Sequence, residues 1–226
     1  RAVDALATSG AMATIFAPPD AVQAHLDRSG SAACIAAFNG PEQVVVSGAS
    51  DAVAAVAGHY ESQGVRVSRL RVAYASHSVL MEPALAPFER AIASVRFAEP
   101  RVTFVSNRTG RPAGLDEIGR TAYWRNHLRE PVRFAQSLQA VASLGITHYL
   151  EIGQHPVLVG MGAACVEAPD SAWLPSLRRG DDDWDLILET LQQLYAAGAD
   201  VDWAGFDAQR ARRVVTLPGY PFQRKR

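Results

Sequence analysis

One short segment carries side chains suited to acid–base chemistry, Tyr74-Ala75-Ser76-His77-Ser78. It follows a predicted strand and leads into a predicted helix, so His77 would sit on rigid structure beside a gap between two parts of the chain. An imidazole held there can act as a general base that takes a proton from a nucleophile. The alternative is a structural histidine in a capped turn, with Ser76 and Ser78 as N-caps. Residue types alone favour this structural alternative.

The other polar motifs give weaker signals. The remaining histidines are expected at surface or structural positions, and they are His25, His59, His127, His148 and His155. Neither Cys-x-x-Cys nor His-Glu-x-x-His is present, so the sequence predicts no metal site. The sequence also lacks Gly-x-Gly-x-x-Gly and Gly-x-Ser-x-Gly, the second of which presents the nucleophilic serine of α/β acyl-transfer enzymes. The acidic run 181–183 is typical of a helix start.

The elements that must position His77 begin with a compact mixed unit. The residue pattern predicts strands and helices in the order β-α-β-β-α-β, which is typical of a ferredoxin-like arrangement. A hairpin is expected around Asn39-Gly40-Pro41, because Asn-Gly between two β-type runs is a strong turn signal. The predicted elements are strand 11–17, helix 21–28, strands 33–38 and 43–47, a helix from residue 50 to Gly64, and strand 65–72.

Beyond residue 78 the pattern changes to strands that alternate with helices. Such alternation predicts a parallel sheet covered by helices, and hence an α/β fold. The expected helices are 80–95, 123–128, 132–144, 157–166 and 184–195; the strands are 102–106, 147–152 and 172–177; and residues 214–226 form an extended, docked linker.

Composition excludes several classes of protein. The chain has 226 residues, of which 48% are hydrophobic and 20% charged, as in an ordinary globular protein. A formal net charge of −1 gives no electrostatic footprint for nucleic acid. No apolar run reaches the length of a membrane span. The two cysteines, Cys34 and Cys165, cannot form a disulfide scaffold, and a reducing cytoplasm fits them.

An ordered set of motifs identifies a resemblance that covers essentially the whole chain. The chain resembles the acyltransferase domain of modular polyketide synthases, which is related to the malonyl-carrier-protein transacylases of fatty-acid synthesis. The matching segments are GAMA at 10–13, FNGP at 38–41, VVVSG at 44–48, YASHS at 74–78, LMEP at 80–83, YW at 123–124, REPVRF at 129–134, EIGQHPVL at 151–158 and LPGYPFQRKR at 217–226.

The resemblance implies a division of the chain. Residues 1–10 would end a helix of a large subdomain, and residues 11–72 would form the ferredoxin-like small subdomain. Residues 73–200 would form the C-terminal part of an α/β-hydrolase-like subdomain with a mostly parallel sheet. Residues 201–226 would be a linker that wraps back onto a preceding ketosynthase domain and its linker.

The resemblance also implies a ping-pong mechanism. A serine in a Gly-His-Ser-x-Gly turn attacks an acyl-CoA thioester, and the phosphopantetheine thiol of an acyl-carrier protein then collects the acyl group. The family's catalytic base matches His77. A backbone carbonyl orients that base, and its position falls at His127 in this chain. CoA enters as a substrate, and no bound cofactor is implied.

Selection of the acyl group would depend on the segment before the base. Tyr74, Ala75 and Ser76 occupy the family's selecting position, and Tyr-Ala-Ser-His is associated with methylmalonyl units. A serine in place of phenylalanine leaves room for an α-methyl group, although the adjoining LMEP segment resembles malonyl-type domains. Asn39 faces the cleft in relatives and is a weaker candidate for substrate contact, with a role as a turn residue as its alternative.

The departures from the family pattern concern the nucleophile. The Gly-His-Ser-x-Gly motif is absent, and no arginine matches the one that pairs with the substrate carboxylate. The chain is therefore expected to be the C-terminal portion of an acyltransferase domain and inactive by itself. Two other functions stay open, namely a docking module for a carrier protein without catalysis and a fragment of a lipase-like hydrolase.

Overall fold

The computed structural model describes residues 10–209, 213 and 215–223, and its first part is a four-stranded antiparallel sheet. The elements are β1 (Gly10–Ile15), α1 (Pro19–Ser29), β2 (Cys34–Gly40), β3 (Gln43–Ala49), α2 (Ser50–Ser62) and β4 (Val67–Arg69). The strand order is β2-β3-β1-β4, and every neighbouring pair is antiparallel. This topology is ferredoxin-like, as the sequence predicted.

Helix α1 shows how local residue types determine these elements. Pro19 occupies the first turn, where its missing N–H costs nothing, and Asp20 complements the positive end of the helix dipole. The helix ends at Gly30, whose φ of 60° is left-handed and therefore suits glycine. The strand predicted over 65–72 is shorter in the structure, because only Val67–Arg69 pair with β1.

The core of this unit is formed by β-branched side chains from both helices and the sheet. The largest of them are at most 1% exposed, and they are Ile15, Val22, Val44, Val46 and Val56. Full burial of one such side chain contributes about 1.5–3 kcal/mol to the free energy of unfolding. The small unit therefore has a core of its own on which the rest of the chain can be positioned.

Strand β2 connects this core to the second part of the chain. Its pairing with β3 skips Ala36 and Asn39, which makes both of them bulge residues whose backbone groups leave the ladder. The Ala36 carbonyl accepts a hydrogen bond from the Val132 N–H at 2.8 Å, and the Phe38 N–H donates to the Val132 carbonyl at 2.8 Å. These two bonds form a parallel bridge that fixes the Val132 segment against the sheet.

The second part alternates helices with short strands. The elements are a 3-10 turn (Val79–Met81), α3 (Glu82–Ile92), β5 (Val105–Ser106), β6 (Arg111–Pro112), α4 (Leu115–Ile118), α5 (Thr121–Arg129), α6 (Phe134–Ser143), β7 (His148–Glu151), α7 (Leu158–Gly162), β8 (Ala172–Pro175), α8 (Asp183–Ala196) and α9 (Trp203–Asp207). Strands β5 and β6 form an antiparallel hairpin, whereas β7 and β8 run parallel with Tyr149 opposite Trp173.

Some predicted elements differ from the structure. The strand predicted over 102–106 contains only Val105 and Ser106, because Val102 is 79% exposed and has no buried face to pack. The helix predicted over 157–166 is limited to α7, where two glycines weaken helix propensity. The helix end was expected over residues 1–10, but Gly10 begins strand β1 because it pairs with Ala49, and residues 1–9 lie outside the described residues. Of the expected linker, residues 215–223 are exposed, and residues 210–212, 214 and 224–226 lie outside the described residues.

We expect Gly48→Ala to destabilise the sheet, because the added Cβ would lie 2.9 Å from the Ala33 Cα and 3.1 Å from the Ala32 carbonyl oxygen. Both are backbone atoms that cannot move aside, and overpacking of this kind costs about 1–3 kcal/mol. Gly58→Ala in the exposed middle of α2 meets no atom within 4 Å and should instead stabilise, as a matched control. Urea unfolding measures both, and a Gly48→Ala protein as stable as wild type would contradict the expectation.

Candidate functional site

His77 is held in an unusual backbone conformation between the two parts of the chain. Its φ is +59°, and it is the one non-glycine residue with positive φ in the part of the chain that the structure describes. Its N–H donates to the Leu128 carbonyl at 3.3 Å, and its carbonyl accepts from the Cys34 thiol at 3.4 Å. Strained conformations of this kind cost free energy and are concentrated at functional sites.

The imidazole of His77 has a defined tautomer. Its Nδ1 lies 2.8 Å from the backbone carbonyl oxygen of Glu130. A carbonyl oxygen can only accept, so Nδ1 must carry the hydrogen and donate it. In the neutral ring Nε2 then holds the lone pair, which is the form that a general base requires. The residue is half-buried, so the ring is partly shielded from water.

The position of the Glu130 carbonyl follows from the proline after it. Pro131 disfavours helical geometry in the preceding residue, and Glu130 accordingly ends α5 with an extended ψ of 154°. The carbonyl therefore leaves the helix direction and meets His77. The sequence prediction named His127 for this orienting role. The structure instead gives the main hydrogen bond to Glu130, while the His127 carbonyl makes a smaller contribution to the pKa of His77.

Two histidines with lowered pKa values lie together at this site. Burial lowers the pKa of His77, although its backbone hydrogen bonds to Glu130 and His127 oppose the shift. The His127 ring stands edge-on to the His77 ring, with 6.1 Å between the centroids. Burial, the neighbouring His77 and the Arg108 guanidinium lower the pKa of His127. Both rings are therefore held towards the neutral form.

The segment before His77 is packed against the first strand of the sheet. Ala75 is 3% exposed and contacts Gly10, whereas Tyr74 and Ser76 are half-buried. Ser78 is fully buried, and its hydroxyl donates to the Ala75 carbonyl and accepts from the Leu80 N–H. Ser78 is thus the structural N-cap that the sequence allowed.

Asn39 occupies a different place from the one expected. It is a bulge residue within β2 and does not belong to the hairpin turn, and its carbonyl accepts from the Cys165 thiol at 3.2 Å. It lines a cleft of about 270 Å³ beside α6 and α7, together with Asn107, Phe134 and other residues. His77 and the segment 74–76 are not part of that lining. The structure therefore brings His77 and His127 together, with Tyr74 and Ser76 close before His77 in the chain, and Asn39 lines a different cleft.

Sequence reasoning missed three residues that hold His77 in place. Glu130 supplies the acceptor, Leu128 accepts from the His77 N–H, and Cys34 donates to the His77 carbonyl. The Glu130-Pro131 pair was the available signal, because it predicts where the helix ends and a carbonyl turns away. Leu128 acts through its backbone carbonyl and Cys34 through its thiol, and no sequence motif marks either contact.

Neither a metal centre nor a membrane segment is found in the part of the chain that the structure covers. Within residues 10–209, 213 and 215–223, no three His, Cys, Asp or Glu side chains are grouped to bind a metal ion. None of the helices in those ranges is both long enough and apolar enough to cross a bilayer.

Comparison with known proteins agrees with the geometry. A family model for the acyl transferase domain matches residues 1–201. The phenolphthiocerol synthesis polyketide synthase Pks1 of Mycobacterium tuberculosis, whose name includes the word inactive, is 39% identical over 226 residues. That match covers 100% of this chain and 14% of the relative.

Solved structures give the same result. The acyltransferase domain from the second module of the salinomycin polyketide synthase is 38% identical with a TM-score of 0.88, and the match covers 98% of this chain and 52% of that one. A malonyl-CoA:acyl carrier protein transacylase from Xanthomonas oryzae is 28% identical with a TM-score of 0.69, over 80% of this chain and 58% of that one. The chain thus spans about half of the solved domain. Because the family model matches most of its residues and the fold agrees with a solved domain at 38% identity, the chain belongs to the acyl transferase domain family.

Proposed function

We propose that this chain supplies the general base and the acyl-selecting segment of an acyltransferase. The enzyme would move a malonyl-type group from CoA to the phosphopantetheine thiol of an acyl-carrier protein in polyketide synthesis. The observation that carries the proposal is the hydrogen bond from His77 Nδ1 to the Glu130 carbonyl, which leaves Nε2 as the proton acceptor. Membership of the acyl transferase family and the likeness to a malonyl transacylase support the choice of substrate class.

The proposed reaction uses one histidine in both directions. His77 Nε2 takes the proton of a serine hydroxyl as the serine oxygen attacks the thioester carbonyl. Collapse of the tetrahedral intermediate breaks the carbon–sulfur bond, and the CoA thiolate receives the proton from His77. In the second half, His77 removes the proton of the carrier-protein thiol, which attacks the acyl-serine ester. The serine oxygen then regains a proton from the same ring.

The nucleophile has to come from outside these 226 residues, since they contain no Gly-x-Ser-x-Gly motif. The chain corresponds to about half of the salinomycin acyltransferase domain, which leaves room for a segment that carries the serine. We infer that the 226 residues alone form no acyl-enzyme.

The acyl group we favour is methylmalonyl. Ser76 is half-buried directly before His77, and it is smaller than the phenylalanine associated with malonyl selection. One methyl group changes binding by about 1–3 kcal/mol, so the segment would bias the choice of substrate without excluding malonyl. Residues 80–83, which resemble the malonyl type, lie in the turn and helix that follow.

The partners of this activity would be an acyl-carrier protein and an adjacent ketosynthase domain with its linker. We place the reaction in the cytoplasm, where Cys34 and Cys165 would remain the free thiols seen in the structure.

Replacement of the base should abolish transfer. In the acyltransferase polypeptide that joins these residues to the serine segment, His77→Ala should lower kcat about 10²–10⁴-fold, because general-base catalysis contributes that much. Transfer of labelled methylmalonyl groups to a carrier protein measures this loss. His148→Ala, at an exposed strand position, is the matched control and should retain the wild-type rate. Unchanged transfer by His77→Ala would favour the docking-module alternative.

The pH profile should report a depressed histidine pKa. Only neutral His77 can accept a proton, so kcat/KM should fall as the pH drops through the pKa of that ring. Because burial lowers this pKa from its ordinary value of 6.5, the acid limb should have its midpoint below pH 6.5. A midpoint above pH 6.5, measured with saturating carrier protein, would contradict the assignment of His77 as the buried base.

Enlarging Ser76 should alter substrate choice. We expect Ser76→Phe to lower the ratio of kcat/KM for methylmalonyl-CoA over malonyl-CoA roughly 10- to 100-fold, since the ring would occupy the space for the α-methyl group. Val72→Phe adds the same ring at a 46% exposed position and should leave the ratio unchanged. Competition between the two CoA esters measures the ratio, and equal ratios for both variants would refute the role of Ser76.

A further inference from the structure

A salt bridge lies directly behind the carbonyl that orients His77. Arg108 Nε is 2.6 Å from one carboxylate oxygen of Glu130, and a terminal nitrogen of Arg108 donates to the other oxygen at 3.3 Å. The guanidinium thus lies close to both carboxylate oxygens, and its hydrogen bond to Glu130 comes from the terminal nitrogen. Glu130 is therefore held at two points, through its side chain by Arg108 and through its main chain by His77.

Arg108 is itself fixed in a rigid turn. It lies in the loop between β5 and β6, where the Ser106 hydroxyl accepts from the Arg108 N–H at 3.2 Å and from the Thr109 N–H at 3.3 Å. The turn closes at Gly110, which has a φ of +71° and donates to the Ser106 carbonyl at 2.7 Å. The Ser106 and Tyr123 hydroxyls are hydrogen-bonded at 2.6 Å in a buried position, which joins this loop to α5.

The environment of the guanidinium favours a strong contact. The Arg108 side chain is 23% exposed, and its guanidinium carbon lies 5.7 Å from the centroid of the Tyr123 ring. An ion pair with one partner partly shielded from water is screened less by solvent than a fully exposed pair. Glu117 is a second acidic neighbour at 3.8 Å, but Arg111 already contacts it at 2.8 Å. Glu130 is therefore the closer partner of Arg108.

We propose that Arg108 is a positioning residue for the general base, an inference that rests on the proposed function. Arg108 fixes the Glu130 carboxylate and thereby the peptide group at the end of α5 whose carbonyl orients His77. Without Arg108, the half-buried carboxylate would lose its partner and turn towards water. The carbonyl would shift with it, and a displacement of about 1 Å at a reacting group is enough to slow catalysis roughly 100-fold.

The first test separates positioning from folding in the acyltransferase polypeptide that contains the serine. Arg108→Met should lower kcat for acyl transfer roughly 10- to 100-fold with KM for the CoA ester unchanged, because substrate contacts are kept and only the base is misaligned. Arg111→Met removes an arginine of the same hairpin that contacts Glu117 but not Glu130, and it should keep the wild-type kcat. Equal effects of the two variants would overturn the proposal.

A charge exchange gives the second test. Arg108→Glu and Glu130→Arg should each lower kcat, whereas the double variant should regain at least a tenth of the wild-type value, since the ion pair is rebuilt and residue 130 keeps its carbonyl. No recovery in a double variant that unfolds at the wild-type temperature would overturn the proposal.

Arg108→Lys provides a third test in case Arg108→Met does not fold. Lysine keeps the positive charge but lacks the planar guanidinium, so this variant should show a smaller loss that is confined to kcat. A wild-type kcat for Arg108→Lys would overturn the proposal.

The outcome also distinguishes this inference from the proposed function. Loss of transfer in His77→Ala together with wild-type kcat in Arg108→Met would refute the role of Arg108 alone. Full transfer by His77→Ala would refute the proposed function itself.

Discussion

The site depends on a single hydrogen bond, from His77 Nδ1 to the main-chain carbonyl of Glu130. It selects the tautomer and the direction of the ring, and both partners are anchored by features far apart in the sequence. Pro131 turns the Glu130 carbonyl away from the direction of α5. The next residue, Val132, is hydrogen-bonded to strand β2. The positive φ of His77 is maintained from the other side by Leu128 and Cys34. The energetic cost of that conformation is thus met by contacts from two packed units.

Much of the fold could be predicted from local chemistry. The order of the first six elements followed from turn residues and hydrophobic period, and Asp182 caps α8 where the acidic run predicted a helix start. The prediction of a strand from residue 102 failed because the burial of a side chain depends on distant parts of the chain as well as on its sequence neighbours. Val102 belongs to an apolar run and yet is 79% exposed, so no strand forms there. By contrast, the parallel pairing of β7 with β8 agrees with the alternation of strands and helices that predicted a parallel sheet.

Sequence reasoning could single out a side chain for the candidate site but not the backbone groups around it. His77 stood out by its residue type and by a resemblance to known proteins. Its acceptor lies 53 positions away and uses a carbonyl, a group that every residue possesses. Only the proline that follows Glu130 and ends α5 distinguishes Glu130 from His127 as the acceptor. The Asn-Gly pattern correctly predicted the β2–β3 hairpin, but Asn39 itself is a bulge residue of β2 and lines a different cleft.

The two bulges of β2 have a consequence for solubility. An outer strand of a sheet exposes unpaired amide and carbonyl groups that can recruit a strand from another molecule and begin aggregation. Strand β2 occupies such an outer position, yet Ala36 and Phe38 direct their backbone groups to Val132, and Asn39 directs its carbonyl to Cys165. The irregularity that joins the two halves of the chain therefore also blocks this edge against self-association.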